Sequence, residues 1–520
     1  MLRSIIPFKP SSSAIFAATI RFQSVHSQQV TSDGVDPEWD RALPYEKIPR
    51  LGWLKMIRRF APGGRYQNLS VLDANRRFRE DFGDLLVIPG ILGRKDMVIS
   101  YNPDDYQKLF RTEGQWPNRR ALETFNHYRK NVRPEVFKGM GGLVNEQGEN
   151  WQQFRTIVNP VMLQPKTIRL YVDKLDEMAR EFMGIIRDIR DEKNELPGDF
   201  NQWVNRWALE TMGVLALDSR FGMLDKEMST EISNMVKYNR EVLELMYQLD
   251  ILPSIWRFYK TKSFKRLMTL FDEITRIVMA KVNEAVVRLE KNPTTNSDNQ
   301  SVLEKLLKID RNVAIVMALD MLLAGVDTTS AASSGILFCL AKNPEKQARL
   351  REELKTILPN KDSPLTPDNM RNLPYLRACI KEGLRLYTPT PGNIRAAGKD
   401  IVLQGYRIPK GTDVAMTAMI LYQDDQFFPR GKEFLPERWL KEPSGCPSGK
   451  DTHRFLFLPF GFGPRACIGL RMANLELEML VARVIRQYEV RWNYDDLRLV
   501  TTLINQPENE LHYQMVEVNS

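Results

Sequence analysis

Apolar residues recur at three- and four-residue spacing, with charges between them, over Lys166 to Arg190, Ser229 to Leu249, Lys265 to Lys291 and Val313 to Ala341. That period matches the turn of an α-helix, so each segment predicts a helix burying one apolar stripe. Strand-like patterns are fewer and shorter: Leu85 to Ile88, closed by Pro89-Gly90, then Met97 to Ser100, Ile401 to Ile408 and Leu511 to Val518. Asn292 to Gln300, rich in Asn, Ser and Thr, reads as a loop between helices. The expected fold is mainly α with small peripheral β-sheets.

With 520 residues, 43% of them hydrophobic and 27% charged, the chain can bury a large core. Length alone suggests about three domains. No long linker, low-complexity tract or internal repeat interrupts the pattern, so a single domain over residues 25–520 is expected behind an N-terminal extension. Met1 to Ser32 contains no acidic residue, and Arg3, Lys9 and Arg21 stand among Ser, Ala and apolar residues. This is mitochondrial transit composition, assigned to residues 1–24 with an unfixed cleavage point; a basic tail without an address is the alternative. The apolar stretch Ala14 to Ile20 is far short of the roughly 20 residues that span a bilayer, so no N-terminal membrane anchor is expected.

The four cysteines, at 339, 379, 446 and 467, lack the spacing of a disulfide scaffold or a zinc site. The four histidines, His26, His127, His453 and His512, form no paired-ligand motif, so any metal must be held another way. A net charge of +9 suits nucleic acid, an anionic membrane or an acidic protein, and equally an ordinary solvated surface. No basic run is interleaved with aromatic residues, and nucleic acid is not an expected partner.

The segment Phe460-Gly-Phe-Gly-Pro-Arg-Ala-Cys-Ile-Gly469 carries the most chemistry. Its glycines permit sharp turns and close approach to a large planar group. Cys467 stands just before the helical pattern Leu470 to Tyr488, where backbone N–H groups favour a thiolate. Such a thiolate pushes electron density onto haem iron. Arg465 is placed to meet an acidic cofactor edge. A buried structural cysteine beside a Gly-rich turn is the alternative.

This decapeptide resembles the signature of the cytochrome P-450 superfamily, Phe-x-x-Gly-x-Arg-x-Cys-x-Gly. The resemblance implies a fold that holds haem b, iron protoporphyrin IX, between a long central helix and the cysteine-loop helix, with Cys467 as the iron ligand and Phe460 and Arg465 beside the cofactor. Glu382 and Arg385, three apart on a helical pattern, share a face. They resemble the family's Glu-x-x-Arg, which joins an arginine downstream, matched by Arg438 in Pro436-Glu-Arg-Trp439, in a buried structural network. Ala324-Gly-Val-Asp-Thr-Thr329 lies in the long apolar helix. Its small residues would let backbone pass close to a cofactor, Thr328 would open the helix locally for water, and Asp327 and Thr328 would relay protons. Trp151 and Arg155, one turn apart, resemble residues that meet a haem propionate, as does Arg395 after Pro391-Gly392; ordinary surface arginines are the alternative.

The resemblance runs from about Asp36 to the C-terminus and is closest to the mitochondrial class, in particular the insect family-twelve members, through Glu113-Gly-Gln-Trp-Pro117 and Asn145-Glu-Gln-Gly148. It implies peripheral location on the matrix side of the inner membrane and electrons from a two-iron ferredoxin with an NADPH-dependent reductase. Arg377 and Lys381, four apart on the Glu382 helix, would contact that ferredoxin; a solvated basic face is the alternative. Ile251 to Tyr259, largely apolar and followed by lysines, would dip into a membrane interface, or else form a buried loop. The implied reaction inserts one atom of O₂ into a lipophilic small molecule, a foreign compound such as an insecticide or a steroid-like endogenous compound. Met317, Met321, Leu322, Thr390 and Leu503 are the implied pocket residues. The rival readings are a haem-thiolate isomerase or dehydratase, a haem sensor without turnover, and an endoplasmic-reticulum enzyme fed by a flavoprotein. Asp327 and Thr328 argue against the first two, and the lack of an anchor against the third.

Overall fold

Asp310 starts the longest helix among the described residues by accepting hydrogen bonds from the backbone N–H groups of Asn312 and Val313, at 2.7 and 3.0 Å. The computed structural model describes residues 36–518 except 93, 121, 292, 293, 295 and 443–445. The proposed transit segment and part of the 292–300 loop lie outside the described residues. From Asp310 the helix Arg311–Ala341 runs through the middle of the main core, apolar on all sides because it is packed on all sides. It is long and apolar enough to cross a membrane, yet most of it is buried in protein.

Among the helices that pack against this central one are Phe200–Leu217, Pro374–Leu386 and Leu470–Gln487. The first approach depends on Gly325, where a Cβ would lie 2.6 Å from the Met212 sulfur. Gly325 therefore makes room for a neighbouring helix, a role beyond the one expected of it from the sequence. At Gly383 a Cβ would lie 2.6 Å from the Ile336 side chain, so the Glu382 helix also lies close to the central one.

A smaller core is built on a four-stranded sheet. Strands β1 (Leu85–Ile88) and β2 (Met97–Ser100) follow the expected pattern; β3 is Asn393–Ala396, and β4 (Ile401–Leu403) and β5 (Tyr406–Ile408) make a separate hairpin. The stretch read as one strand is thus two, turned back at Gln404-Gly405, both with positive φ, a turn favoured between twisted strands. β6 is Asp413–Met416, and the first sheet runs β1-β2-β6-β3, parallel only between β2 and β6. The remaining strands β7 (Tyr488–Trp492), β8 (Leu499–Thr501), β9 (Asn505–Pro507) and β10 (Tyr513–Glu517) form the pairs β7–β10 and β8–β9.

The expected helices are found with shifted ends. Lys166 to Arg190 divides into Pro165–Arg169 and Val172–Ile189, and Thr230–Met246 ends in a π-helical turn, Tyr247–Ile251. The next long helix is Lys262–Lys291.

Candidate active site

The cysteine loop is shaped by two left-handed glycines, Gly461 and Gly463, with φ of 73° and 70°. Cys467 donates its backbone N–H to the Phe460 carbonyl at 2.8 Å, closing the loop before helix Leu470–Gln487. Its side chain is accessible, whereas Cys339 and Cys379 are buried. Desolvation pushes the Cys467 thiol above its ordinary range, and the N–H groups of Gly469 and Leu470 and the charges of Arg155 and Arg119 oppose this. The helix start acts in the expected direction, but desolvation by the protein that surrounds this accessible sulfur outweighs it.

Arginines crowd around this sulfur. Arg155, on helix Gly148–Met162, donates to the Ala466 carbonyl at 3.0 Å, and its Nε has no partner. Trp151, one turn earlier and buried, also has an unpartnered indole N–H. Arg395 on β3 is buried and bound to Glu113 at 2.8 Å. Arg465 lies within the field of Arg119, Arg395 and Arg155. Its guanidinium donates to the carbonyls of Pro117, Leu143 and Glu146 and to the Gln147 side chain, at 2.8 to 3.2 Å, and so staples the loop to protein.

Arg119 is a member of this group that the sequence reading missed. Desolvation, then repulsion from Arg395 and Arg155, lowers its pKa to about 10, and desolvation with the fields of Arg119, Arg395 and Arg155 lowers that of Arg465 to about 9. Glu113 is the single carboxylate that acts on both Arg395 and Arg465. Four guanidinium groups with one carboxylate, two unpartnered N–H donors and an accessible cysteine fit a large dianion that also ligates sulfur. Both Glu113 and Arg119 flank the Trp116-Pro117 segment, but no local period marks them.

On the central helix, Ala324 is the only exposed residue between positions 313 and 341, flanked by partly accessible Leu323, Gly325 and Thr328. The Thr328 hydroxyl donates to the Ala324 carbonyl at 2.6 Å, and the helix continues as α through this point, so the expected local opening is not formed. Asp327 is buried. Its Oδ1 accepts from Gln506 Nε2 at 3.2 Å, and its Oδ2 has no partner. Burial pushes its pKa up to about 6, against the opposing field of Arg240. Met317, Met321 and Leu322 are buried, and Leu503 packs at the edge of the same core. Thr390 is partly accessible.

Glu382 is wholly buried and accepts from Arg385 at 2.7 and 2.9 Å, from Arg438 at 2.9 Å and from the Trp439 indole at 2.8 Å. Arg385 also donates to the carbonyls of Tyr422, Gly431 and Glu433, so the network joins its helix to the stretch leading toward the cysteine loop. On the surface beside Phe460 and Leu470 lies a pocket of about 440 Å³ that includes Arg377, Lys381 and Glu478. Arg377 is held by Glu478 at 2.9 Å and by the carbonyls of Met370 and Arg371, whereas Lys381 lies over the Trp439 ring at 5.9 Å.

A mainly helical chain with one accessible cysteine ahead of a helix, ringed by arginines short of carboxylates, has the construction of a haem-thiolate protein. Residues 65–511 match the family described as Cytochrome P450, and the chain belongs to that family. It is 43% identical over 497 residues to "Probable cytochrome P450 12a5, mitochondrial" of Drosophila melanogaster, covering 93% of each chain. It is 43% identical to "Cytochrome P450 CYP12A2" of Musca domestica, over 95% of this chain and 94% of the relative. With "Cytochrome P450 12b1, mitochondrial" of Drosophila acanthoptera the identity is 42%, over 88% of this chain and 87% of the relative. The fold resembles that of the solved cytochrome P450DA heme domain, with a TM-score of 0.72 and 20% identity, over 92% of this chain and 98% of that one. The molecule is a haem-thiolate monooxygenase.

Proposed function

We propose that Cys467 ligates the iron of haem b and that Trp151, Arg155, Arg395 and Arg119 hold its carboxylates, while Arg465 and the Glu382–Arg385–Arg438 network keep the cysteine loop in place. The observation that carries this reading is the excess of four buried or half-buried guanidinium groups over one carboxylate around an accessible sulfur. Phe460 supports the loop through its carbonyl and its packing against the main core. Bound haem supplies the chemistry that splits O₂. The balanced reaction consumes one C–H substrate, one O₂, two electrons and two protons, and yields one hydroxylated product and one water. The chain's own part is to seat a lipophilic substrate beside Ala324, exclude bulk water, and hold a proton on the Asp327 carboxyl with the Thr328 oxygen as its neighbour.

The electrons come from a two-iron ferredoxin with its NADPH-dependent reductase, docking over Lys381 and the adjoining pocket; Arg377, tied to Glu478, shapes that face. Residues 1–24 are a mitochondrial transit peptide, residues 25–520 one catalytic domain, and the enzyme sits peripherally on the matrix side of the inner membrane. Its apolar contact is the segment after Asp250, where Phe258 and Tyr259 are 76% and 66% exposed, together with helix Trp53–Phe60. The substrate is a lipophilic foreign compound or a steroid-like endogenous one.

The test is reconstitution of the purified haem protein with NADPH and either ferredoxin plus its reductase or a flavoprotein reductase, against a library of lipophilic compounds. Product formation only with ferredoxin is expected, and it should weaken as salt is added. Equal support by the flavoprotein overturns the partner assignment. Failure of the reduced, carbon monoxide-bound protein to show thiolate-type absorption overturns the role of Cys467.

A further inference from the structure

Asp327 is buried on the central helix, and one side chain fixes its orientation from outside that helix. Gln506, on β9, donates its amide Nε2 to Asp327 Oδ1 at 3.2 Å. The other oxygen, Oδ2, is left without a partner among the described residues. Gln506 does not hang from a loose loop. It pairs with Val500 across the β8–β9 hairpin, which packs against the central helix. The next residue back, Asn505, ties the hairpin to the segment after helix Pro374–Leu386. Its N–H and its side-chain amide reach the carbonyls of Pro389 and Thr388, each at 2.8 Å, while its Oδ1 accepts from the Thr501 hydroxyl at 2.6 Å. The tip of the same hairpin carries Leu503, packed at the edge of the main core.

We infer that Gln506 is a positioning residue for the reaction: it clamps one oxygen of Asp327 so that the other is presented for proton transfer. The inference rests on the reading of Asp327 as the proton-handling acid. The residue type suits the task. An amide donor orients a carboxylate without supplying charge, so the acid is held in place yet can still take up and give back a proton. A lysine or arginine at this position would lock it in the ionised form. The charged group whose field reaches Asp327 is Arg240 on helix Thr230–Met246, itself 3.2 Å from Glu244 and so partly neutralised. The hydroxyl of Thr328 donates to Ala324 and therefore meets an incoming proton with its oxygen.

The experiment uses the full-length holoprotein and two substitutions, Gln506→Met, which keeps the length and removes the donor, and Gln506→Lys, which adds a charge. The infrared C=O band of Asp327, identified by its loss in Asp327→Asn, is titrated with pH. In parallel, the decay of the reduced holoprotein mixed with O₂ is followed against pH. Both midpoints are expected to rise by about one unit in Gln506→Met and to fall by at least as much in Gln506→Lys. Opposite displacements by two variants are not a consequence of partial unfolding. Wild-type midpoints in both variants overturn the role of Gln506 while leaving Asp327 in place. An Asp327→Asn protein whose decay retains the wild-type rate and pH profile overturns the reading of Asp327 itself.

Discussion

The guanidinium carbon of Arg465 lies 3.9 Å from the centroid of the Trp151 ring. Four protein acceptors occupy the rim of the guanidinium, so the indole carries the face of a buried cation that has no carboxylate of its own. Trp151 thereby lays its ring under Arg465 while its indole N–H finds no partner among the described residues, and on the proposed reading that N–H is left for the cofactor. Trp151→Phe keeps an aromatic face and removes the donor. A hydrogen bond to a charged acceptor contributes about 1.5–3 kcal/mol, so haem release should accelerate about ten- to a hundredfold. Transfer of haem to an excess of apomyoglobin measures the rate, and a wild-type rate would rule out the N–H contact.

Glu382 is shared by two buried arginines, which makes its loss unlike the loss of either partner. Glu382→Gln leaves Arg385 and Arg438 buried together without a counter-charge, at a cost of about 3–5 kcal/mol. Arg438→Met leaves Glu382 still paired with Arg385 and should cost distinctly less. Urea unfolding at matched haem occupancy checks the order, and equal losses would show that the three groups act only as a unit.

What was legible in the sequence was local. The central helix announced itself by its apolar length, the cysteine loop by its glycines, and Glu382–Arg385 by three-residue spacing. Arg438 was reached only by resemblance, because nothing in its own surroundings points 56 residues back to Glu382. Arg119 and Gln506 were missed for the same reason. Their importance comes from what folding brings beside them, such as Asp327, 179 positions from Gln506. One local signal was misjudged, since Gln404-Gly405 is a hairpin turn inside an apolar run, and one was incomplete, since Gly325 also leaves the space that Met212 needs.

The exposed apolar residues after Asp250 are pinned rather than loose. Arg94 donates to the carbonyls of Leu249 and Ile251, and Asp250 accepts from the backbone N–H of Thr124 at 3.1 Å. A fixed apolar surface loses little conformational freedom when it enters a membrane interface. Replacing Ile255 and Phe258 together by serine should reduce binding to vesicles of phosphatidylcholine and cardiolipin about tenfold or more, since burying a large apolar side chain contributes about 1.5–3 kcal/mol. Vesicle co-sedimentation reads the loss. Unchanged binding would exclude this segment as the contact, and unchanged thermal stability of the variant would show that the fold itself is intact.

Glu476, on helix Leu470–Gln487, is buried and accepts from the hydroxyls of Thr211 and Thr329 at 2.5 and 3.3 Å, and no cation among the described residues pairs with it. Burial pushes its pKa from the ordinary 4.5 up to about 8, and the two hydroxyls oppose this only in part. Because the folded state holds the proton more tightly than the unfolded chain, the stability tied to this carboxyl is fully present below pH 4.5 and is lost as pH rises toward about 8. Gln does not titrate. Glu476→Gln should therefore match the wild type in stability near pH 4.5 and exceed it progressively at higher pH, by a margin on the order of a few kcal/mol where the carboxyl is ionised. Thermal midpoints of both proteins at matched haem occupancy, taken across that window, give the comparison. A difference that stays constant with pH would mean that Glu476 keeps one protonation state throughout, and a Gln protein that loses stability as pH rises would reverse the sign of the argument.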